Sequence, residues 1–208
     1  CIVGLHVPDE GRVLYDGRSF HELEKDEKRQ VRQEIGMLFQ SSALFDSLTV
    51  MENVMFPLKM FATMSDSEMR DRAALCLKRV NIVDKDRLFP SELSGGMQKR
   101  VGIARAIAMN PKYLFVDEPN SGLDPQTSIV IDELIKELTQ EYGTTTIVIT
   151  HDMNSVMEIG ENIVFINEGR IWWQGTKDDL FDSDNKELND FFFASGLMRT
   201  VRKSMRGR

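Results

Sequence analysis

Apolar positions along this chain recur at two spacings, and the switches between them mark its elements. Residues 11–16 (GRVLYD) alternate and end at Gly17, which predicts a strand and a turn. Residues 24–34 are charged and helical, and IGMLFQ (35–40) is a short apolar strand ending on a polar residue. Thr49 with Glu52 predicts a capping box that opens a helix, which Pro57 should kink or end. A second box, Ser65 with Glu68, precedes Met69, Ala73, Cys76, Leu77 and Val80 at helical spacing. Residues 49–90 are therefore expected to form an all-helical insertion.

The second half alternates between strands and helices. A helix from Gly95 carries Met97, Val101, Ala104 and Ala108 on one face and stops before Pro111. YLFVD (113–117) is a continuous apolar strand, and a long amphipathic helix over about 125–142 has Val130, Leu134 and Leu138 in register. Residues 145–150, in the run TTTIVI followed by Thr150, read as another buried strand. A helix over 153–160 and strands near 162–167 and 170–174 follow. Strands alternating with helices predict an α/β fold with a mainly parallel sheet, and near-continuous apolar strands fit a sheet covered on both faces. Thr176 with Asp179 starts a short helix and Lys186–Ala194 forms another, whose Phe191–Phe193 cannot all face one side. At least one of those rings is expected to meet another chain or the main domain.

Composition narrows this picture only a little. The chain has 208 residues, 41% hydrophobic and 28% charged, enough for one sizeable domain with a small subdomain. A net charge of −7 argues against a nucleic-acid partner, which leaves a basic footprint. The exception is the end of the chain, where Arg199, Arg202, Lys203, Arg206 and Arg208 stand without an acid in MRTVRKSMRGR. That stretch reads as a solvated tail or as a contact for anionic lipid headgroups. Cys1 and Cys76 form no metal or redox spacing, and Cys76 on an apolar helix face fits a reduced core thiol. No apolar run reaches the ~18–20 residues that span a bilayer.

Ligands of open α/β sheets bind beyond the carboxyl ends of the strands, so the residues there carry the candidate chemistry. YLFV is followed by Asp117 and Glu118, TTTIVI by Thr150 and His151, and IGMLF by Gln40. Each alone is a common turn former. Together, two carboxylates, an imidazole and an amide at one edge suit phosphoryl transfer. Asp117 can bind Mg²⁺, Glu118 can orient and deprotonate an attacking water, and His151 can hydrogen-bond a terminal phosphate. ELSGGMQKR (92–100) opens a helix with Ser94 as N-cap, and a cap needs no glycines. Gly95 and Gly96 point to close backbone approach by an anion at the helix N-terminus. Lys99 and Arg100 oppose the helix dipole there, so they are expected to face a partner or an acid.

LSGGMQKRVGIARAI (93–107) resembles the signature motif of ABC ATPases. LFVDEPNSGLDP (114–125) looks like their Walker B motif and D-loop, ITHD (149–152) like the switch histidine and FQ (39–40) like the Q-loop. Five motifs in the family's order, over roughly residues 1–175, are a specific match. The resemblance implies a P-loop NTPase-like ABC ATPase core with an inserted helical subdomain at about 41–110. Residues 176–208 would then be a C-terminal helical extension and basic tail. It implies ATP and Mg²⁺ as cofactors, with Asp117 and Gln40 at the metal and Glu118, His151 and Gln40 catalytic. Ser94, Gly95, Gly96 and Gln98 would meet the ATP of a second copy, with Asp124 at that dimer interface. Asn120 stands where the family more often has Thr, with little consequence expected. A membrane permease would contact about residues 41–60, and the complex would sit peripherally on the cytoplasmic face of a bacterial inner membrane.

The family's phosphate-binding loop, G-x-x-x-x-G-K-[ST], is absent from this sequence, and Gly169–Lys177 has the wrong spacing to replace it. In the family it lies just before a segment like CIVGLHVPDEGRVLYDG, so Cys1 would follow the missing lysine by one or two helical turns. A truncated chain is expected, and residues 1–208 alone should bind Mg-ATP poorly; a catalytically dead binding protein is the competing reading. Among ABC ATPases, MLFQSSALFDSLTVMENVMFPLK (37–59) is most similar to the Mla type. That implies phospholipid transport with lipid-binding partner components. An ATPase for amino acids or lipoproteins is the alternative. Translation or repair ATPases would carry tandem cassettes or coiled coils, which this chain lacks.

Overall fold

The computed structural model describes residues 1–194 and 196–206. The chain divides into two compact units, Cys1–Ile149 and Thr150–Arg208.

In the first unit, β1 (Leu14–Tyr15) pairs antiparallel with β2 (Arg18–Ser19), a shorter strand than the alternation over 11–16 suggests. Helix α1 (Lys25–Gln33) leads into β3 (Ile35–Leu38). The insertion holds α2 (Val50–Phe61) and α3 (Asp66–Arg79), each opened by the expected capping box. Glu52 and Glu68 return to the backbone N–H of Thr49 and Ser65 at 2.9 and 2.7 Å. Pro57 does not end α2, which runs on to Phe61. Its missing N–H costs one bond in the ladder, while buried Val54, Met55 and Leu58 hold the turn in place by packing. The amide of buried Asn53 ties the entry loop down, donating to the carbonyls of Phe45, Leu48 and Thr49 at 3.0–3.1 Å.

Helix α4 (Gly95–Ile107) then runs to β4 (Tyr113–Asp117), α5 (Pro125–Tyr142) and β5 (Thr145–Ile149). Strands β3, β4 and β5 form a parallel sheet in that order, with Met37, Phe115 and Ile147 in one row and Leu38, Val116 and Val148 in the next. Phe115 joins Tyr15, Phe20 and Val31 in a core cluster on one face. On the other face β3 lies close to α4: a Cβ on Gly36 would stand 2.3 Å from the Ala106 carbonyl oxygen.

Two periodicity readings change here. Helix α4 is buried nearly all round between Val101 and Ala108, not on one face, because it is the central helix of the unit and packs on α2, α3 and β3. On α5 the inward stripe is Ile131, Leu134, Ile135 and Leu138, while Val130 is exposed at its flank. A third reading fails at β5. Its Thr145, Ile147 and Ile149 are exposed, because β5 is the edge of a three-stranded sheet and that face is open among the described residues.

The second unit holds α6 (Met153–Ile159), the antiparallel pair β6 (Ile163–Asn167) and β7 (Arg170–Gly175), α7 (Lys177–Asp182), α8 (Lys186–Phe192) and α9 (Gly196–Arg206). Its core is Leu180, Phe181, Leu188, Phe192 and Phe193. Two of the three adjacent phenylalanines are thus consumed locally, and exposed Phe191 lies 5.5 Å from the Phe165 ring. Arg202 stacks over Phe193 at 4.6 Å and donates to the carbonyls of Phe181 and Ser183, at the end of α7. Arg199 donates to Ala194 at 2.8 Å. These two cations of the basic stretch are engaged by the unit itself. The side chains of Lys203 and Arg206, and Arg208 as a whole, lie outside the described residues. Among the described residues no helix is long and apolar enough to cross a membrane.

Candidate functional site

The parallel register brings Gln40 and Asp117 to one edge of the sheet. Leu38 pairs with Val116, so the chain leaves β3 beside the end of β4. Gln40 and Asp117 line one open depression together with Phe39, Ser41 and Ser121. Asp117 is the last residue of β4 and is half-buried. One carboxylate and one amide oxygen suit Mg²⁺, which keeps several waters and shares its remaining positions with phosphate oxygens. Among the described residues no cluster of three or more His, Cys, Asp or Glu offers an all-protein metal cage.

Glu118 holds a left-handed backbone, φ 46°, which non-glycine residues seldom adopt outside functional turns. Its N–H donates to the Ile149 carbonyl at 2.9 Å, at the end of β5. Its own carbonyl accepts from the Ser121 N–H at 3.3 Å and from the Lys99 ammonium at 2.9 Å. The same ammonium donates to the carbonyl of Gln40. Lys99 is 4% exposed; burial pushes its pKa down, while the neighbouring Asp117 and Glu118 carboxylates pull it back up. So the cation that opposes the α4 dipole faces acids and carbonyls inside its own chain.

The start of α4 is built differently. Ser94 is exposed and its hydroxyl accepts the Met97 N–H at 3.4 Å, a weak cap. Gly95 is exposed and Gly96 buried, with room only for hydrogen: a Cβ there would stand 2.6 Å from Thr127 Cγ2. Gln98 does not turn outward with them. Its amide donates to the carbonyls of Pro90 and Leu93 at 3.0 and 3.3 Å, closing the turn before the helix. Asp124 caps α5, accepting the Thr127 N–H at 3.0 Å and its hydroxyl at 2.5 Å, and these bonds hold the exposed carboxyl below its usual range. Ser94, Gly95 and Asp124 thus lie on the surface, the first two beside a free helix start that can take an anion from outside.

His151 is exposed and follows β5 by two residues, at the start of the second unit. There the Thr150 hydroxyl accepts the Asp152 N–H at 3.0 Å, and the Asp152 carboxylate caps α6 through the Asn154 N–H at 2.9 Å.

Sequence reasoning missed two features. Asn120 is buried and donates to Asp132 at 2.9 Å, joining the β4–α5 loop to α5, so its side chain has a structural role. An acid inside the apolar stripe of α5 was the available signal, because a buried carboxylate needs a partner. Arg105 donates to the carbonyls of Ser42 and Ala43, and no local pattern marks it.

The ABC transporter family model matches residues 1–121. Similar curated proteins include a methionine import ATP-binding protein, MetN, of Desulfitobacterium hafniense (strain Y51). It is 43% identical over 181 residues, covering 87% of this chain and 53% of the relative. MetN 1 of Oceanobacillus iheyensis is 42% identical over 197 residues, covering 95% and 58%. The chain spans little more than half the length of these relatives. Among solved structures, a dimeric post-hydrolysis state of the ATP-binding cassette MJ0796 bound to ADP and Pi is similar, with a TM-score of 0.76 at 38% identity, covering 84% of this chain and 77% of that one. These relatives overturn the expectation of lipid transport by an Mla-type ATPase. The segment that suggested it, 37–59, buries Leu38, Val50, Val54, Met55 and Leu58, so much of its pattern reports packing and not cargo.

Proposed function

This chain belongs to the ABC transporter family, and from that premise we propose that it is part of the ATP-hydrolysing subunit of an importer for an amino acid, with methionine the first candidate. The observation that carries the reading is the joint edge of Gln40, Asp117 and Glu118, built by a parallel sheet of the ABC cassette type. Identity to methionine import ATP-binding proteins over most of this chain supports the cargo class.

Asp117 and Gln40 would hold Mg²⁺, which when bound neutralises charge on the phosphates. Glu118 orients and deprotonates the attacking water from the end of β4. His151 hydrogen-bonds the terminal phosphate. A second copy supplies Ser94 and the N–H groups of Gly95 and Gly96 to the same nucleotide, with Asp124 at that interface; the dimeric cassette among the similar structures supports this arrangement. The phosphate-cradling loop is not among residues 1–208, so these residues form the metal and water side of the site. Exposed Phe45, Phe56 and Met60, with the Phe45 and Phe56 rings 4.6 Å apart, offer the apolar contact for a permease within 41–60. Membrane association is then peripheral, on the cytoplasmic face.

The test is uptake of labelled methionine in cells whose own gene is deleted. The full-length protein should restore uptake, and Glu118→Gln should not, while purified Glu118→Gln retains ATP and a closed dimer. Unchanged uptake in the deletion strain would remove the cargo assignment, and rapid hydrolysis by Glu118→Gln the base assignment.

A further inference from the structure

We infer that Lys99 is a positioning residue for hydrolysis: one buried ammonium fixes the backbone at Gln40 and at Glu118 in a single geometry. The inference rests on the reading above that Glu118 activates the water.

Lys99 lies 59 residues from Gln40 and 19 from Glu118, and its ammonium donates to the carbonyls of both. One atom thereby ties the chain leaving β3 to the chain leaving β4. The position is unfavourable for a cation on two counts. The first turns of a helix repel positive charge, and a lysine only 4% exposed gives up hydration of its ammonium. An apolar side chain of similar length would fill the slot without either cost. What the ammonium adds is directional: carbonyl oxygens can satisfy it only if they converge on it, so it selects the loop geometries that bring them together.

That selection matters most at Glu118. The left-handed φ of 46° turns the peptide after Glu118 away from the strand direction. The Ile149 carbonyl holds the N–H side of the residue, and Lys99 with the Ser121 N–H holds the carbonyl side. With both flanking peptides fixed, the direction of the Glu118 Cα–Cβ bond is fixed too, and with it where the carboxylate can place a proton acceptor. The Gln40 carbonyl on the same ammonium keeps the amide beside Asp117 in step with Glu118. Lys99 hydrogen-bonds to backbone carbonyls, with the Asp117 and Glu118 carboxylates as neighbouring charges, so it acts through Glu118 and Gln40.

The experiment compares Lys99→Met and Lys99→Gln with Glu118→Gln and the double variant Lys99→Met/Glu118→Gln, all in the full-length protein. Lys99→Met should lower kcat about 10- to 100-fold, the range for losing hydrogen bonds to a charged group, with KM for Mg-ATP changed by less than about threefold. Lys99→Gln keeps one N–H donor and should lose less. Lys99→Met should add no further loss on the Glu118→Gln background, because both changes remove the same function. A wild-type kcat in Lys99→Met, a rise in KM without a fall in kcat, or a full additional loss in the double variant would overturn the inference. If Lys99→Met shows no cooperative unfolding transition, the same criteria are applied to Lys99→Gln. Should Glu118→Gln hydrolyse ATP at the wild-type rate, the reading of Glu118 falls. Should only Lys99→Met be normal, the positioning role falls and that reading stands.

Discussion

The Arg105 guanidinium donates to the Ser42 carbonyl at 2.6 Å, and its second nitrogen reaches Ala43 at 2.7 Å. Ser42 and Ala43 are consecutive left-handed residues, φ 61° and 44°, separated from Gln40 by Ser41 alone. The loop bend is therefore held from α4 by a planar fork whose pKa burial pushes down. Arg105→Met should cost about 1–3 kcal/mol by leaving two carbonyls without their charged donor. Arg105→Lys should recover less than half of that, since one ammonium does not reproduce the fork. Urea unfolding of the two variants measures both.

Gly36→Ala should be strongly destabilising for its size. The added Cβ meets the Ala106 carbonyl oxygen at 2.3 Å, a backbone atom that cannot rotate away. Either β3 or α4 must shift, at about 1–3 kcal/mol for overpacking. Equilibrium denaturation should show a lower midpoint with an unchanged slope.

Gly96→Ala is a different case, because the clash is with a side-chain methyl, Thr127 Cγ2 at 2.6 Å. Thr127→Ser removes that methyl and keeps the hydroxyl bonded to Asp124. The double variant Gly96→Ala/Thr127→Ser should recover most of the about 1–3 kcal/mol that Gly96→Ala loses. If Gly96 also meets a partner's nucleotide, hydrolysis should stay low while the thermal midpoint returns.

The Tyr113 hydroxyl donates to Asp16 at 2.7 Å, and this bond, with burial next, pushes the phenol up to about 12. The same bond holds the Asp16 carboxyl below its ordinary range. A raised folded pKa means the contribution is whole below the unfolded tyrosine value of about 10 and is lost as pH rises through about 12. Burial pushes the Tyr15 phenol up as well, so tyrosinate absorbance should show a late-titrating component that Tyr113→Phe reduces but does not abolish, and Asp16→Asn should bring the Tyr113 titration earlier.

Much of the candidate site was legible in the order of the residues because its candidate groups sit at strand ends. An apolar run that stops on Asp117 and Glu118 announces both the strand and its edge, and the capping boxes at Thr49 and Ser65 lie within four residues of chain. The cargo was not legible. Segment 37–59 buries Leu38, Val50, Val54, Met55 and Leu58, so its apolar pattern reported packing and suggested the wrong relatives.

By itself, then, the sequence determined the α/β alternation and the helical insertion, since each depends on periodicity or local turn chemistry, and it nominated Gln40, Ser94, Asp117, Glu118, Asp124 and His151 as candidates. The tertiary structure alone decided that α4 is buried nearly all round from Val101 onward, that Gln98 closes its own turn and that Lys99 joins Gln40 to Glu118. The reason is range. Helical spacing and caps are settled within a turn or two of chain, whereas a buried ammonium finds carbonyls 19 and 59 residues away only once strands and helix have packed.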